Sequence, residues 1–273
     1  MNGRRKNLKK KLSSILISVL LSCAAIASAA GKTAVIYGDT RTNAEMHRKI
    51  TQAILKIKPE IVFHTGDLVN DGRNPGDWKV FNEISAPLRK AVKFYPVLGN
   101  HEHQSKIYFD SFKLPNNERW YSVDWNGIRF MMLDTESDIK SGSEQYNWLE
   151  SELKKDKSKF RIIVNHHPAY TTGSHGDEQN LREKLVPLLE KYEVDMMFSG
   201  HNHCYERQEV NGIFYITTGG GGAPLHSQRK QDPNSKIFLE CYNFSELRLD
   251  GNELSVTVYD DNMKVIDEFS KKK

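Results

Sequence analysis

The sequence predicts an α/β fold, a four-layer sandwich of two mixed β-sheets with helices on the outside. Three observations carry this. From Thr33 to Asn100 the chain repeats a strand–loop–helix order, as βαβ units do. Asn126-Gly127 sits between two alternating apolar runs, a strong hairpin signal. The last seventy residues are rich in strand patterns, with further turns expected at Asn211-Gly212 and Asp250-Gly251-Asn252.

Each element has its own signal. Thr33–Tyr37 is an apolar strand ending at Gly38-Asp39. Asn43 can cap a helix whose inner face is Met46, Ile50, Ile54 and Ile57, stopped at Lys58-Pro59. Ile61–Thr65 is the next strand, and Trp78, Phe81, Ile84 and Leu88 mark the next helix. Phe94–Leu98 follows as a strand. Tyr121–Trp125 and Ile128–Leu133 form the hairpin, and Tyr146, Leu149 and Leu153 a helix after it. Arg161–Asn165 is a strand, Leu181–Tyr192 one helix, and Val194–Ser199 the strand before Gly200.

Residues 1–29 lie outside this pattern. Arg4, Arg5, Lys6, Lys9, Lys10 and Lys11 precede a short apolar run, and Ala27-Ser28-Ala29 fits a small-x-small cleavage site. This is the anatomy of an export signal, and the run is too short for a comfortable membrane span. The expected location is periplasmic or extracellular. Leu20-Leu21-Ser22-Cys23 also resembles a lipobox, which would end the signal at residue 22 and leave a lipid anchor on Cys23.

Charge follows from this division. The chain has 39 basic and 35 acidic residues, and six of the basic ones lie in residues 1–29. The remainder, 33 against 35, carries −2, so the composition does not argue for nucleic-acid binding. Residues 30–273 suffice for one catalytic domain. Cys204 and Cys241 could pair in an oxidising compartment or remain two thiols; spacing leaves this open.

Six short pieces look like the ligand set of one two-metal site: Gly38–Arg41, Gly66–Leu68, Gly99–Glu102, His166–Tyr170, Gly200–His203 and Cys204–Arg207. They offer Asp, Asn and His, donors suited to hard and borderline cations. Asp39, Asp67, Asn100, His166 and His201 each fall just after a predicted strand, where α/β folds place ligands. Either His166 or His167 supplies a donor. His201 and His203, two apart, would share a strand face or lie in a loop. Arg41 reads as a phosphate clamp or an ion-pair partner. Gly219–Gly222 reads as an amide cradle for phosphate or as tight turns.

In order, G-D-T-R, G-D-L, G-N-H-E, H-H-P-A-Y and G-H-N-H-C-Y-E-R resemble the calcineurin-like metallophosphoesterases, and within them the purple acid phosphatase branch and its bacterial relatives. The resemblance covers roughly residues 33–260. It implies one metal on Asp39, Asp67 and His203, and a second on Asp67, Asn100, His166 and His201, with Asp67 bridging. His166 keeps the family spacing. His101 would stabilise the phosphoryl group or protonate the leaving oxygen, or else support a ligand; His175 would face substrate, or be a solvated loop histidine. The implied reaction is hydrolysis of a small phosphate ester, most simply a monoester, by a metal-bound hydroxide. A phosphodiesterase or nucleotide hydrolase, and a non-catalytic metal-binding envelope protein, are the rival readings.

Two positions depart from the family. Asn70 stands where purple acid phosphatases carry a ligand Tyr, and Arg41 stands where other members carry a ligand His. Arg cannot ligate a cation. Asn70 or water would fill the gap, and without a phenolate the expected metals are divalent Mn, Zn or Fe rather than Fe(III).

Overall fold

The computed structural model describes residues 32–176 and 179–273. The segment expected to be an export signal, and Cys23 in it, lie outside them. Two sheets form the centre. In the first, β1 (Thr33–Tyr37), β2 (Ile61–His64) and β3 (Lys93–Pro96) are parallel, and β11 (Asn243–Asp250), β12 (Glu253–Asp260) and β13 (Val265–Lys272) continue it antiparallel from β1. In the second, β5 (Ile128–Met132), β6 (Phe160–Val164), β7 (Met196–Ser199) and β9 (Ile213–Thr218) are parallel. The antiparallel β4 (Tyr121–Trp125) pairs β5 at one edge; β8 (Tyr205–Val210) and β10 (Ser235–Leu239) complete the other.

Alternation along each strand builds the layers. Ala34 and Ile36 of β1 and Phe63 of β2 face Phe130 of β5 and Ile162 of β6 across the inter-sheet core, where Phe63 and Phe130 stack at 4.0 Å. The alternate residues Val35, Tyr37 and Val62 pack outward on α1 (Ala44–Ile57), through Ile50 and Ile54. Met131, Ile163 and Met197 of the second sheet pack outward on α4 (Glu144–Lys155), α5 (Gln179–Lys184) and α6 (Val186–Lys191). Each fully buried aliphatic or aromatic side chain contributes about 1.5–3 kcal/mol.

The expected elements recur, with instructive shifts. Asn43 caps α1 by accepting from Met46 N at 3.1 Å, and Lys58 ends it in the left-handed region. Asn126-Gly127 turns with φ of 50° and 80°, and Trp125 pairs Ile128. The helix expected over Leu181–Tyr192 divides into α5 and α6, because Pro187 brings no N–H to continue it. The strand expected over Phe94–Leu98 stops at Pro96, whose carbonyl accepts from the Tyr108 and Tyr121 hydroxyls at 3.0 and 2.6 Å. Cys204 and Cys241 are free thiols. Among the described residues, no helix is long and apolar enough to cross a membrane.

Two histidines are held in this frame without charge. His47 on α1 stacks on Phe81 of α2 (Pro75–Ala91), and its Nε2 has no partner among the described residues. Burial pushes its pKa down to about 3, and that of His64 well below the usual histidine range. An unfolded histidine protonates near 6.5, so falling pH charges the unfolded chain first. The stability from keeping His47 neutral is whole above pH ~6.5 and is lost progressively as pH falls toward about 3. Between pH ~7.5 and ~5 the loss is about 2 kcal/mol for such a histidine. Urea unfolding at the two pH values checks this: His47→Met is expected to lose less stability than wild type, and equal losses would refute it.

Candidate metal centre

The parallel strands of both sheets end at one rim. Asp39 follows β1, Asp67 follows β2, Asn100 follows β3, His166 follows β6 and His201 follows β7. Their backbones are bent sharply: Asp39, Asp67 and His201 have φ of 58°, 55° and 66°. Such strain in non-glycine residues costs on the order of 1–3 kcal/mol each and collects at functional sites. The preceding glycines let these ends crowd together. A Cβ on Gly99 would lie 2.4 Å from Asp67 Oδ1, and one on Gly200 would lie 2.3 Å from Asp39 Oδ2.

One donor group surrounds Asn100. His166 Nε2 lies 2.9 Å from Asn100 Oδ1 and 3.4 Å from Asp67 Oδ1, and His201 Nδ1 lies 3.1 Å from Asn100 Oδ1. His166 Nδ1 donates to the Thr65 carbonyl at 2.8 Å, which fixes the tautomer and leaves an Nε2 lone pair facing oxygen. Burial disfavours the imidazolium and holds the pKa of both His166 and His201 far below the usual range. Neither imidazole carries a positive charge here, and His166 Nε2 presents a lone pair beside the Asn100 and Asp67 oxygens. That is the arrangement a cation requires, and Asp67, Asn100, His166 and His201 fit one.

The second group differs. Asp39 Oδ1 lies 3.6 Å from His203 Nε2, and His203 Nδ1 donates to the Pro224 carbonyl at 2.6 Å, so Nε2 again presents a lone pair. Here the Arg41 guanidinium enters. Its Nε donates to Asp67 Oδ2 at 3.2 Å, and Nη2 lies 3.4 Å from His203 Nε2. Burial, and then the neighbouring Asp67 charge, pushes the Asp39 carboxyl up; Arg41 opposes. Asp39 faces His203 and has a donor atom within 4.8 Å of one of Asp67, but a fixed positive charge already lies against Asp67 and His203.

His201 and His203 occupy the loop between β7 and β8 rather than a strand face. His101, in a short 3₁₀ turn, donates its backbone N–H to Asp67 Oδ1 at 3.0 Å; its Nδ1 lies 2.6 Å from the Asn70 carbonyl and its Nε2 3.9 Å from Asp67 Oδ2. Asn70 is exposed and reaches the site through that carbonyl. His175 is exposed at the rim, its ring 4.8 Å from His201. His167 sets Nδ1 against Thr135 Oγ1 and Glu136 Oε1, while its ring stays 4.4 Å from that of His201 and one of its nitrogens lies within 4.8 Å of donor atoms of His166 and His201. The Gly219–Gly222 run packs on the first motif: Gly221 N donates to the Gly38 carbonyl at 2.8 Å, and a Cβ there would meet that oxygen at 2.3 Å.

Three residues of the site were not singled out from sequence. Glu102, fully buried, accepts from the amides of Gly99, Asp67 and Leu68 at 2.7, 2.9 and 2.8 Å, and so sets the loop that carries Asp67. His226 stacks on His203 at 3.9 Å, and its Nδ1 accepts from the His203 amide. Glu206 binds the Thr171 and Thr172 hydroxyls, each at 2.7 Å, and anchors the segment leading to His175. Glu102 and Glu206 had a signal, since each lies within a quoted motif; His226 had none.

The sequence profile of the calcineurin-like phosphoesterase family matches residues 33–205. "Probable inactive purple acid phosphatase 1" of Arabidopsis thaliana is 29% identical over 70% of this chain and 39% of its own length. Purple acid phosphatase 21 of the same plant is 29% identical over 67% of this chain and 49% of its own. The chain thus spans half or less of these relatives. The structure of a purple acid phosphatase from yellow lupin (Lupinus luteus) seeds superposes with a TM-score of 0.80 at 23% identity, over 88% of this chain and 53% of that one.

Proposed function

Because the chain belongs to the calcineurin-like phosphoesterase family, we propose that it is an exported, metal-dependent phosphoric-ester hydrolase acting on small monoesters. The observation that carries this is the cluster of Asp67, Asn100, His166 and His201, in which His166 Nε2 stands within 3.4 Å of both Asn100 Oδ1 and Asp67 Oδ1 and His201 Nδ1 within 3.1 Å of Asn100 Oδ1. The family uses a dinuclear metal centre, and bound cations in such a centre supply a water nucleophile at neutral pH and neutralise phosphoryl oxygens. The protein's residues supply the rest. His101, held by the Asn70 carbonyl through one nitrogen, presents the other beside the centre, where it can give a proton to the departing alcohol oxygen. Arg41 offers forked N–H groups to phosphoryl oxygens. His175 lines the open side of the rim.

A diester reading is favoured by one feature. A cavity of about 410 Å³ adjoins Arg41 and Asn70 and is walled by Leu68, Val69, Val80 and Phe81, which gives room for an apolar second group. Residues 1–29 are read as the export signal, with Cys23 as the alternative lipid attachment point.

The test is turnover of an aryl phosphate and of an aryl diester, with and without chelator. Monoester hydrolysis abolished by chelator and restored by Mn(II) or Zn(II) is the expected result. Preference for the diester would transfer the reading to a phosphodiesterase. Metal binding without turnover of either would make the chain a non-catalytic binding protein.

A further inference from the structure

The two donor groups of the centre are unequal in charge. Around Asn100 the nitrogens are those of two uncharged imidazoles, and the other donors are oxygens. Around Asp39 and His203 a guanidinium is already inserted, with its Nε on Asp67 Oδ2 and Nη2 against His203 Nε2. Only 16% of the Arg41 side chain is exposed, and 2% of that of Asp67, so the pair is poorly screened by water.

The backbone holds Arg41 there. The Asn43 amide donates to the Arg41 carbonyl at 2.9 Å around Thr42, whose φ is 75°, forming a γ-turn. Asn43 is at once the cap of α1, so the turn is fixed to a helix. A β-branched residue at that φ is an outlier that the surroundings must impose. Arg41 Nη1 also donates to the Thr42 hydroxyl at 3.3 Å. These bonds use three of the five N–H groups of the guanidinium and leave two for an oxyanion.

We propose that the Arg41 guanidinium takes the place of the first cation, so that this chain keeps one resident divalent ion and uses Arg41 as its second positive charge toward phosphate. The inference rests on the metal-dependent reading above. A cation placed among Asp39, Asp67 and His203 would face a charge that Arg cannot lose by deprotonation. It would also have one protein ligand fewer than the Asn100 group provides. An Arg in that place still neutralises the buried Asp67 carboxylate, the other duty of a first cation.

The experiment adds Mn(II) to the purified, metal-stripped protein and follows it by isothermal titration and electron paramagnetic resonance. Wild type is expected to take one tight equivalent and to show an uncoupled Mn(II) signal. Arg41→His, which restores an imidazole at this position, is expected to take a second equivalent and to show an exchange-coupled pair. Arg41→Gln keeps much of the length without the charge, and its affinity for the second equivalent is expected to rise at least about tenfold, since one unit of charge is removed beside the ion. A coupled pair in wild type, or a second equivalent no tighter in either variant, would overturn the inference and leave the hydrolase reading intact. No metal bound by wild type would overturn both.

Discussion

Asp67→Asn is expected to lower turnover by at least about 10²–10³-fold, on the scale of losing one charge-stabilising group, and to strip the tightly held metal. The Asp67 carboxylate faces nearly every other part of the centre. Oδ1 accepts from the His101 amide and lies 3.4 Å from His166 Nε2; Oδ2 accepts from Arg41 Nε and lies 3.9 Å from His101 Nε2. An amide keeps the shape and tolerates the φ of 55°, since Asn visits the left-handed region readily. It removes the negative charge and turns one acceptor into a donor. The fold is expected to survive. Burial and, after it, the Asp67 charge push the Asp39 and Glu102 carboxyls up, so removing that charge relieves part of the repulsion among three buried carboxylates. The measurement is metal content, turnover and thermal unfolding of the stripped protein, side by side. Near wild-type turnover with metal retained would sink the assignment. A large drop in the unfolding temperature of the stripped variant would instead make the effect structural.

The same residue shows why so much was legible in the sequence. A ligand at a strand end needs a polar side chain just past an apolar run and a neighbour small enough for the backbones to meet. Gly-Asp, Gly-Asn and Gly-His after strands state both requirements locally, as Gly99 and Gly200 illustrate. The caps of α1 and the Asn126-Gly127 turn are equally local. What escaped was set by tertiary context. The edge strand β10 and the terminal β13 are patterned weakly because their faces are half-buried or exposed. His226 reaches His203 only because the glycine run packs on Gly38. The sequence placed Arg41 at a ligand position but left its role open; its contact with both Asp67 and His203 joins residues 26 and 162 positions apart.

His101→Ala is expected to reduce turnover by about 10²–10⁴-fold, the usual span for a general acid, while metal content stays near wild type. His101 Nδ1 is taken by the Asn70 carbonyl at 2.6 Å, and Nε2 stands 3.9 Å from Asp67 Oδ2, farther than His166 Nε2 and His201 Nδ1 stand from Asn100 Oδ1. The side chain is 26% exposed, so its removal buries no unpaired group and should cost little stability. Proton donation can be separated from simple charge stabilisation by the leaving group. A nitrophenolate departs without a proton, whereas an alkoxide does not. If His101 is the acid, the variant loses far more activity on an alkyl phosphate than on a nitrophenyl phosphate. An equal loss on both substrates would assign His101 to stabilising phosphoryl charge. Loss of metal from the variant would make it a ligand or the support of one, and the proton would then have to come from elsewhere on the rim, where His175 and His226 stand 4.4 Å apart.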